Sequence, residues 1–182
     1  TYDTSGNNNH GNIYGAQWVD GILGKALSFD GVNDYVEVYP FNYTFSEFTI
    51  YLYIKTSDTT KEGTLISMSD GTEHNEILFL NYRNFSLHVE GVSLVTGVSA
   101  NDGFWHYIVW TWRNSDGLTK LFKNSILVHS GNLKSGARPN PKNLIIAQDQ
   151  DAFRGGFDIN QAFLGLIDEV VIYNKALSED VI

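Results

Sequence analysis

There is no cysteine among the 182 residues, which excludes disulfides, thiolate metal sites and cysteine nucleophiles. There is no run of lysine and arginine either. Formal charge is −9, from 12 basic and 21 acidic residues, so neither a nucleic-acid backbone nor an anionic membrane surface finds an electrostatic footprint to dock on. No apolar stretch approaches the roughly 20 residues that span a bilayer, nothing reads as a signal peptide, and direct membrane insertion is not expected. Helical periodicity is nearly missing: Ser178 as the N-cap of a short C-terminal helix and a short helix over 139–143 are the two helical signals.

The absences extend to catalysis. The five histidines, His10, His74, His88, His106 and His129, lack the close pairing that a zinc site uses, and His106 beside Trp105 reads as a satisfied core or edge histidine. No Gly-x-Ser-x-Gly elbow is present to arm a serine. Paired carboxylates alternating along one strand, as glycosidases use, are also missing, since the adjacent Asp168 and Glu169 point to opposite faces of a strand. No enzyme is expected.

What is present is the composition of a folded module, with 42% apolar and 14% aromatic residues. Short β-branched and aromatic runs bounded by Gly, Asn, Asp or Ser predict strands over 26–29, 35–38, 48–54, 64–68, 76–80, 85–89, 106–112, 118–123, 144–147 and 163–173. Turn signals recur every 8–12 residues or so, as in sandwiches. The prediction is all-β, a two-sheet antiparallel jelly-roll sandwich forming one domain over 1–182. Because Thr1 stands in what reads as domain interior, the chain is expected to be a piece of a larger protein whose targeting elements lie outside it.

One stretch carries chemistry. Gln148-Asp149-Gln150-Asp151-Ala152-Phe153-Arg154-Gly155-Gly156-Phe157-Asp158-Ile159-Asn160-Gln161 gathers three carboxylates and several amide oxygens around a Gly-Gly turn. Calcium takes roughly six to eight such oxygens. The competing account is a polar surface loop whose Asx side chains form turns. Asp149 and Asp151 lie two apart and point the same way in an extended segment, so they repel unless a cation sits between them.

The opening Asp3-Thr4-Ser5-Gly6-Asn7 with Gly24-Lys25-Ala26-Leu27-Ser28-Phe29-Asp30-Gly31 resembles laminin-G-like domains of the concanavalin A-like jelly-roll superfamily. Trp105-His106-Tyr107-Ile108-Val109-Trp110-Thr111-Trp112, Gly117, the acidic loop and Phe163-Leu164-Gly165-Leu166-Ile167-Asp168-Glu169-Val170 narrow this, from about Leu27 to Ile182, to a resemblance to pentraxin domains. Pentraxins bind two adjacent calcium ions on one sheet face, and the ions capture carbohydrate or phosphate-bearing ligands. The resemblance implies Asp149, the Gln150 carbonyl, Asp151, Asp158 and Gln161 as metal ligands, with Asn75 of Glu73-His74-Asn75-Glu76-Ile77-Leu78 as a further one. Three departures accompany it. His74 stands where the family has Asp, leaving the inner ion to Glu73 or Asp70. Asp149 and Asp158 stand where a longer Glu is usual, implying weaker binding or a single ion. Tyr51 and Val109 fill the positions of the family's core disulfide.

These features imply a non-catalytic, calcium-dependent module of a cell-surface or extracellular protein that recognises glycan or phosphoryl-bearing ligands. Asn75, Phe153 and Phe157 are the ligand-contacting candidates, with Tyr82 and Phe85 as further aromatics near the loop. Asp30, Gly31 and Asp168 are candidates for a second, structural cation. The competing function is a structural or assembly domain in which calcium only stabilises the fold, and pentraxin-like ring formation would make the partner a second copy of the chain.

Overall fold

The structure, a computed structural model, describes residues 1–72 and 75–182. Fourteen strands appear among them: β1 (Asn12–Tyr14), β2 (Gln17–Asp20), β3 (Lys25–Asp30), β4 (Tyr35–Val38), β5 (Glu47–Lys55), β6 (Thr64–Ser69) and β7 (Ile77–Leu80), then β8 (Ser86–Val89), β9 (Val92–Val95), β10 (Trp105–Arg113), β11 (Leu118–Lys123), β12 (Ile126–Asn132), β13 (Asn143–Ile146) and β14 (Leu164–Tyr173). They form two antiparallel seven-stranded sheets, ordered β1-β4-β13-β6-β7-β8-β9 and β12-β11-β10-β5-β14-β3-β2. This is the jelly-roll sandwich expected, and all ten expected strands are there.

Alternation along the central strands makes the core. Phe48, Ile50, Leu52 and Ile54 of β5 and Ile108, Trp110 and Trp112 of β10 turn inward and are fully buried, because successive side chains of a strand face opposite sides. Phe48 and Phe79 meet the Trp110 ring edge-to-face at 4.8 and 5.5 Å. Both buried indoles keep a hydrogen bond, Trp110 Nε1 donating to Thr119 Oγ1 and Trp112 Nε1 to the Leu133 carbonyl, each at 2.7 Å, as apolar burial requires of them. Tyr82 and Phe85 belong to this core, which removes them as ligand-contacting aromatics.

Tyr51 and Val109 stand directly opposite each other in the β5–β10 pairing, on the side facing away from the core. Tyr51 joins Tyr107 and Tyr173 there, with ring centres 5.5 and 6.2 Å away, and burial with the neighbouring phenols pushes its hydroxyl up to about 12. Neither expected helix forms: 139–142 is irregular, with a bend at Lys142 that leads into β13, and Ser178 starts a turn closed by Val181 N–H on the Ser178 carbonyl.

The outer face of the first sheet positions the acidic loop. Ile66 and Met68 of β6 enter the core, so Ser67 between them faces outward, and by the same alternation Glu37 of β4 and Asn143 of β13 do so too. The segment between β13 and β14 lies across these three residues.

Candidate functional site

Gln150 ties the loop to the sheet. Its fully buried amide donates through Nε2 to the Ser67 carbonyl at 3.0 Å and accepts through Oε1 from Asn143 Nδ2 at 2.9 Å and the Arg154 backbone N–H at 3.2 Å. The side chain is therefore a structural strut, which leaves its backbone carbonyl as the group for an ion. Asp149 is 1% exposed and accepts from Ser67 Oγ at 3.0 Å. A carboxylate this deep needs compensation for the water it loses.

Beyond Asp151 the chain turns sharply. Ala152 and Gly155 exchange backbone hydrogen bonds of 3.1 and 2.9 Å, and Gly156 follows at φ 72°, where an added Cβ would stand 2.7 Å from the Ala152 nitrogen. Gly156 is required by both conformation and space. At Gly155 nothing crowds an added Cβ, and the other left-handed residue of the turn is Arg154, at φ 62°.

Asp149, Asp151, Gln161 and Asn75 line one concavity of about 350 Å³. Its lining also takes in Leu78, Leu80, Ser86 and His88 of β7 and β8, whose register sets Leu78 opposite His88 and Leu80 opposite Ser86. Glu62, Asn81 and Val95 complete it. The volume suits a small ligand. Gln161 Oε1 and Asn81 Oδ1 are buried acceptors with no hydrogen-bond partner, and burial lowers the His88 pKa, favouring the neutral imidazole. Glu62, Asn81, Ser86 and His88 were not anticipated, because they become neighbours only through strand pairing. The alternation of β7 and β8 is the signal that would have found the last two.

Other candidates lie elsewhere. Asp158 is exposed, its Oδ1 accepting from the Asn160 N–H at 2.9 Å and Asn160 Nδ2 at 3.0 Å, and it does not border the concavity. Phe153, 39% exposed, packs edge-on to Tyr39 at 6.1 Å, and Phe157 leans on Tyr35 at 4.8 Å. Both rings thus face β4 and the residue after it, away from the concavity. Asp70 holds its own turn by accepting from the Thr72 N–H and Oγ1, each at 2.7 Å. Glu73 and His74, expected to bear on the inner ion, lie outside the described residues. Among the described residues no three His, Cys, Asp or Glu side chains gather closely enough for a metal, so any ion set here depends on the amide and backbone oxygens. Gln161 Oε1, an orphaned buried acceptor beside two carboxylates, fits a hard cation with that oxygen chemistry.

The second cation set is not assembled. Leu164 pairs with Asp30 and Ile167 with Leu27, which carries Asp168 about 13 Å further along β14 than the level of Asp30. Asp168 Oδ2 accepts from the backbone of Ile22 and Leu23 at 3.0 and 3.1 Å, and Oδ1 from Glu169 at 2.9 Å. Asp30 Oδ1 accepts from the Val32 N–H at 2.8 Å, and Gly31 turns between strands at φ 73° with Leu164 against it. These are backbone-capping roles. His106 is the satisfied histidine expected, held by Asp102 Oδ1 at 2.8 Å and Asn124 Nδ2 at 3.2 Å. A further concavity of about 370 Å³, between Lys55–Asp58, Gly103 and Leu164–Leu166, contains none of the candidate residues.

Comparison with known proteins bears on most of the chain. The sequence pattern of the Pentaxin family matches residues 27–182. "Sushi, von Willebrand factor type A, EGF and pentraxin domain-containing protein 1" of Rattus norvegicus is 32% identical over 164 residues, 88% of this chain and 4% of that protein. C-reactive protein of Sus scrofa is 29% identical over 165 residues, 87% of this chain and 73% of that protein. The crystal structure of a native heptameric SAP-like pentraxin from Limulus polyphemus superposes with a TM-score of 0.73 at 18% identity, over 84% of this chain and 76% of that one, which speaks to the fold.

Proposed function

The chain belongs to the Pentaxin family, a family of binding modules rather than enzymes, and we propose that it captures glycan or phosphoryl-bearing ligands through calcium held at the loop-side wall of the β7–β8 concavity. The observation that carries this reading is Gln161 Oε1, a buried acceptor without a hydrogen-bond partner, lining the same cavity as Asp149, Asp151 and Asn75. Asp149 and Asp151 would supply charge, and the Gln150 carbonyl, Gln161 and Asn75 neutral oxygens, with Asp158 reaching the site only by leaving its turn. A bound calcium with open coordination positions exchanges water for ligand oxygens. The protein does the rest: Ser67 and Gln150 fix the loop, Leu78 and Leu80 add apolar lining, and Ser86 Oγ, 2.8 Å from Nε2, holds the neutral His88 ring in the opposite wall.

An extracellular or cell-surface location suits this reading, because extracellular modules bind calcium with a Kd of roughly 10⁻⁴–10⁻³ M. Calorimetric titration of calcium into metal-stripped protein should give a Kd in or below that range, with the heat lost in the Asp149→Ala/Asp151→Ala variant. Glycan and phosphoester arrays should then show capture that a chelator reverses. Saturable calcium heat unaffected by the double substitution would sink the site. Calcium binding without any captured ligand would favour the structural or assembly role instead.

A further inference from the structure

Arg154 occupies a position that its backbone disfavours. It is the third residue of the 152–155 turn, at φ 62°, where tight turns favour glycine or asparagine because a Cβ is crowded. Two glycines follow it directly, yet the arginine takes the left-handed place. Such a residue persists where the surroundings over-determine it, and the surroundings here are specific. Nε donates to Glu37 Oε1 at 2.6 Å and Nη2 to Oε2 at 3.1 Å, a two-pronged pair that an ammonium cannot reproduce. The guanidinium carbon lies 4.0 Å from the centre of the Tyr39 ring. Glu37, 5% exposed, also accepts from the Tyr14 hydroxyl at 3.4 Å.

The same residue reaches back into the ligand-bearing stretch. Its backbone N–H donates to Gln150 Oε1, and Gln150 stands between Asp149 and Asp151. A single arginine thus joins β4, the tip of the turn and the segment that would present oxygens to a cation. That segment carries like charges at 149, 151 and 158, which favour an open, solvated loop when no cation is bound. Holding it folded in advance lowers the ordering that ion binding must otherwise accomplish.

We propose that Arg154 is a positioning residue: through Glu37 and Tyr39 it clamps the 148–158 segment to β4, so that the oxygens of Asp149, Gln150 and Asp151 are arranged before an ion arrives. The proposal rests on the metal-centre reading above for its second half and on the clamp geometry alone for its first. Sequence distance hides it, since the two charges are 117 residues apart.

Two variants of the 182-residue chain test it. Arg154→Gly removes the guanidinium while suiting the left-handed φ, and Glu37→Gln removes the partner charge without touching the loop. Hydrogen–deuterium exchange on metal-free protein should show faster exchange over 148–158 in both, with β5 and β10 unchanged. Calorimetry with calcium alone should show affinity reduced by roughly tenfold or more in both, the loss typical when a group supporting a metal ligand is removed. Unchanged exchange over 148–158 in both variants overturns the clamp. Faster exchange with calcium affinity equal to that of wild type overturns its positioning role. If the wild-type chain takes up no calcium while both variants loosen the segment, the metal-centre reading fails and the positioning role falls with it.

Discussion

Tyr82 brings a phenol to the margin of the core, where its hydroxyl donates to Asp58 Oδ2 at 2.7 Å. Asp58 also accepts from Thr60 Oγ1 at 2.7 Å and from the Lys61 and Thr60 backbone at 2.8 and 3.1 Å. Partial burial opposes ionisation, but the Tyr82 and Thr60 side-chain bonds and the two backbone bonds outweigh it and hold this carboxyl at about 2. A depressed carboxyl contributes stability that is present above its unfolded value of 3.8 and lost as pH falls through about 2. Tyr82→Phe should cost about 1 kcal/mol at neutral pH, a bond to a partly exposed charged group. In urea unfolding the difference from wild type should shrink between pH 4 and pH 2, and a difference independent of pH would refute the assignment. At this scale the sequence was informative where the cavity takes near-neighbours in the chain, as it does Asp149 and Asp151. It was uninformative where function needs partners from elsewhere. Nothing local marks Ser67 as the Asp149 donor or Glu37 as the Arg154 anchor, whereas the turn that Asp158 holds with Asn160 is the Asx turn that the local sequence offered.

Secondary structure was legible in proportion to burial. The four strands that went unanticipated, β1, β9, β2 and β12, are the four edge strands of the two sheets. An edge strand pairs on one side only, so its burial need not alternate, and Ile126 of β12 remains 67% exposed. Central strands such as β5, with Phe48, Ile50, Leu52 and Ile54 on one face, carry the period-2 signal that sequence inspection detects. The opposite error, the helix expected at Ser178, came from a capping residue without an apolar stripe behind it to bury. The β5–β10 register gives a prediction of its own. Because Tyr51 and Val109 are directly opposed, the Tyr51→Cys/Val109→Cys variant should close a disulfide on oxidation. Its oxidised form should be more stable than its reduced form by about 2–4 kcal/mol. Thermal melts with and without reductant compare the two forms after the Tyr51 ring contacts are lost in both, and free thiols persisting under oxidant would contradict the register.

At the scale of the molecule, the loop and the sandwich should unfold together. The loop-side wall of the candidate site comes from one segment, but Gln150 is bonded to β6 and β13 and Arg154 to β4, so the loop loses its arrangement when the first sheet comes apart. An ion that binds the folded loop and not the unfolded chain therefore stabilises the whole protein by RT ln(1 + [L]/Kd), about 2.7 kcal/mol at a calcium concentration one hundred times Kd. For a domain of this size that raises Tm by about 5–10 °C. Magnesium at the same concentration should raise it less, since magnesium demands near-ideal octahedral geometry and gives up water reluctantly. The net charge of −9 gives both ions the same general attraction, so a specific site should show as a difference between them, and this difference should vanish in Asp149→Asn. Scanning calorimetry that finds equal shifts for the two ions, or a calcium shift retained in Asp149→Asn, would assign the stabilisation to screening of an acidic surface and remove the loop as a metal centre.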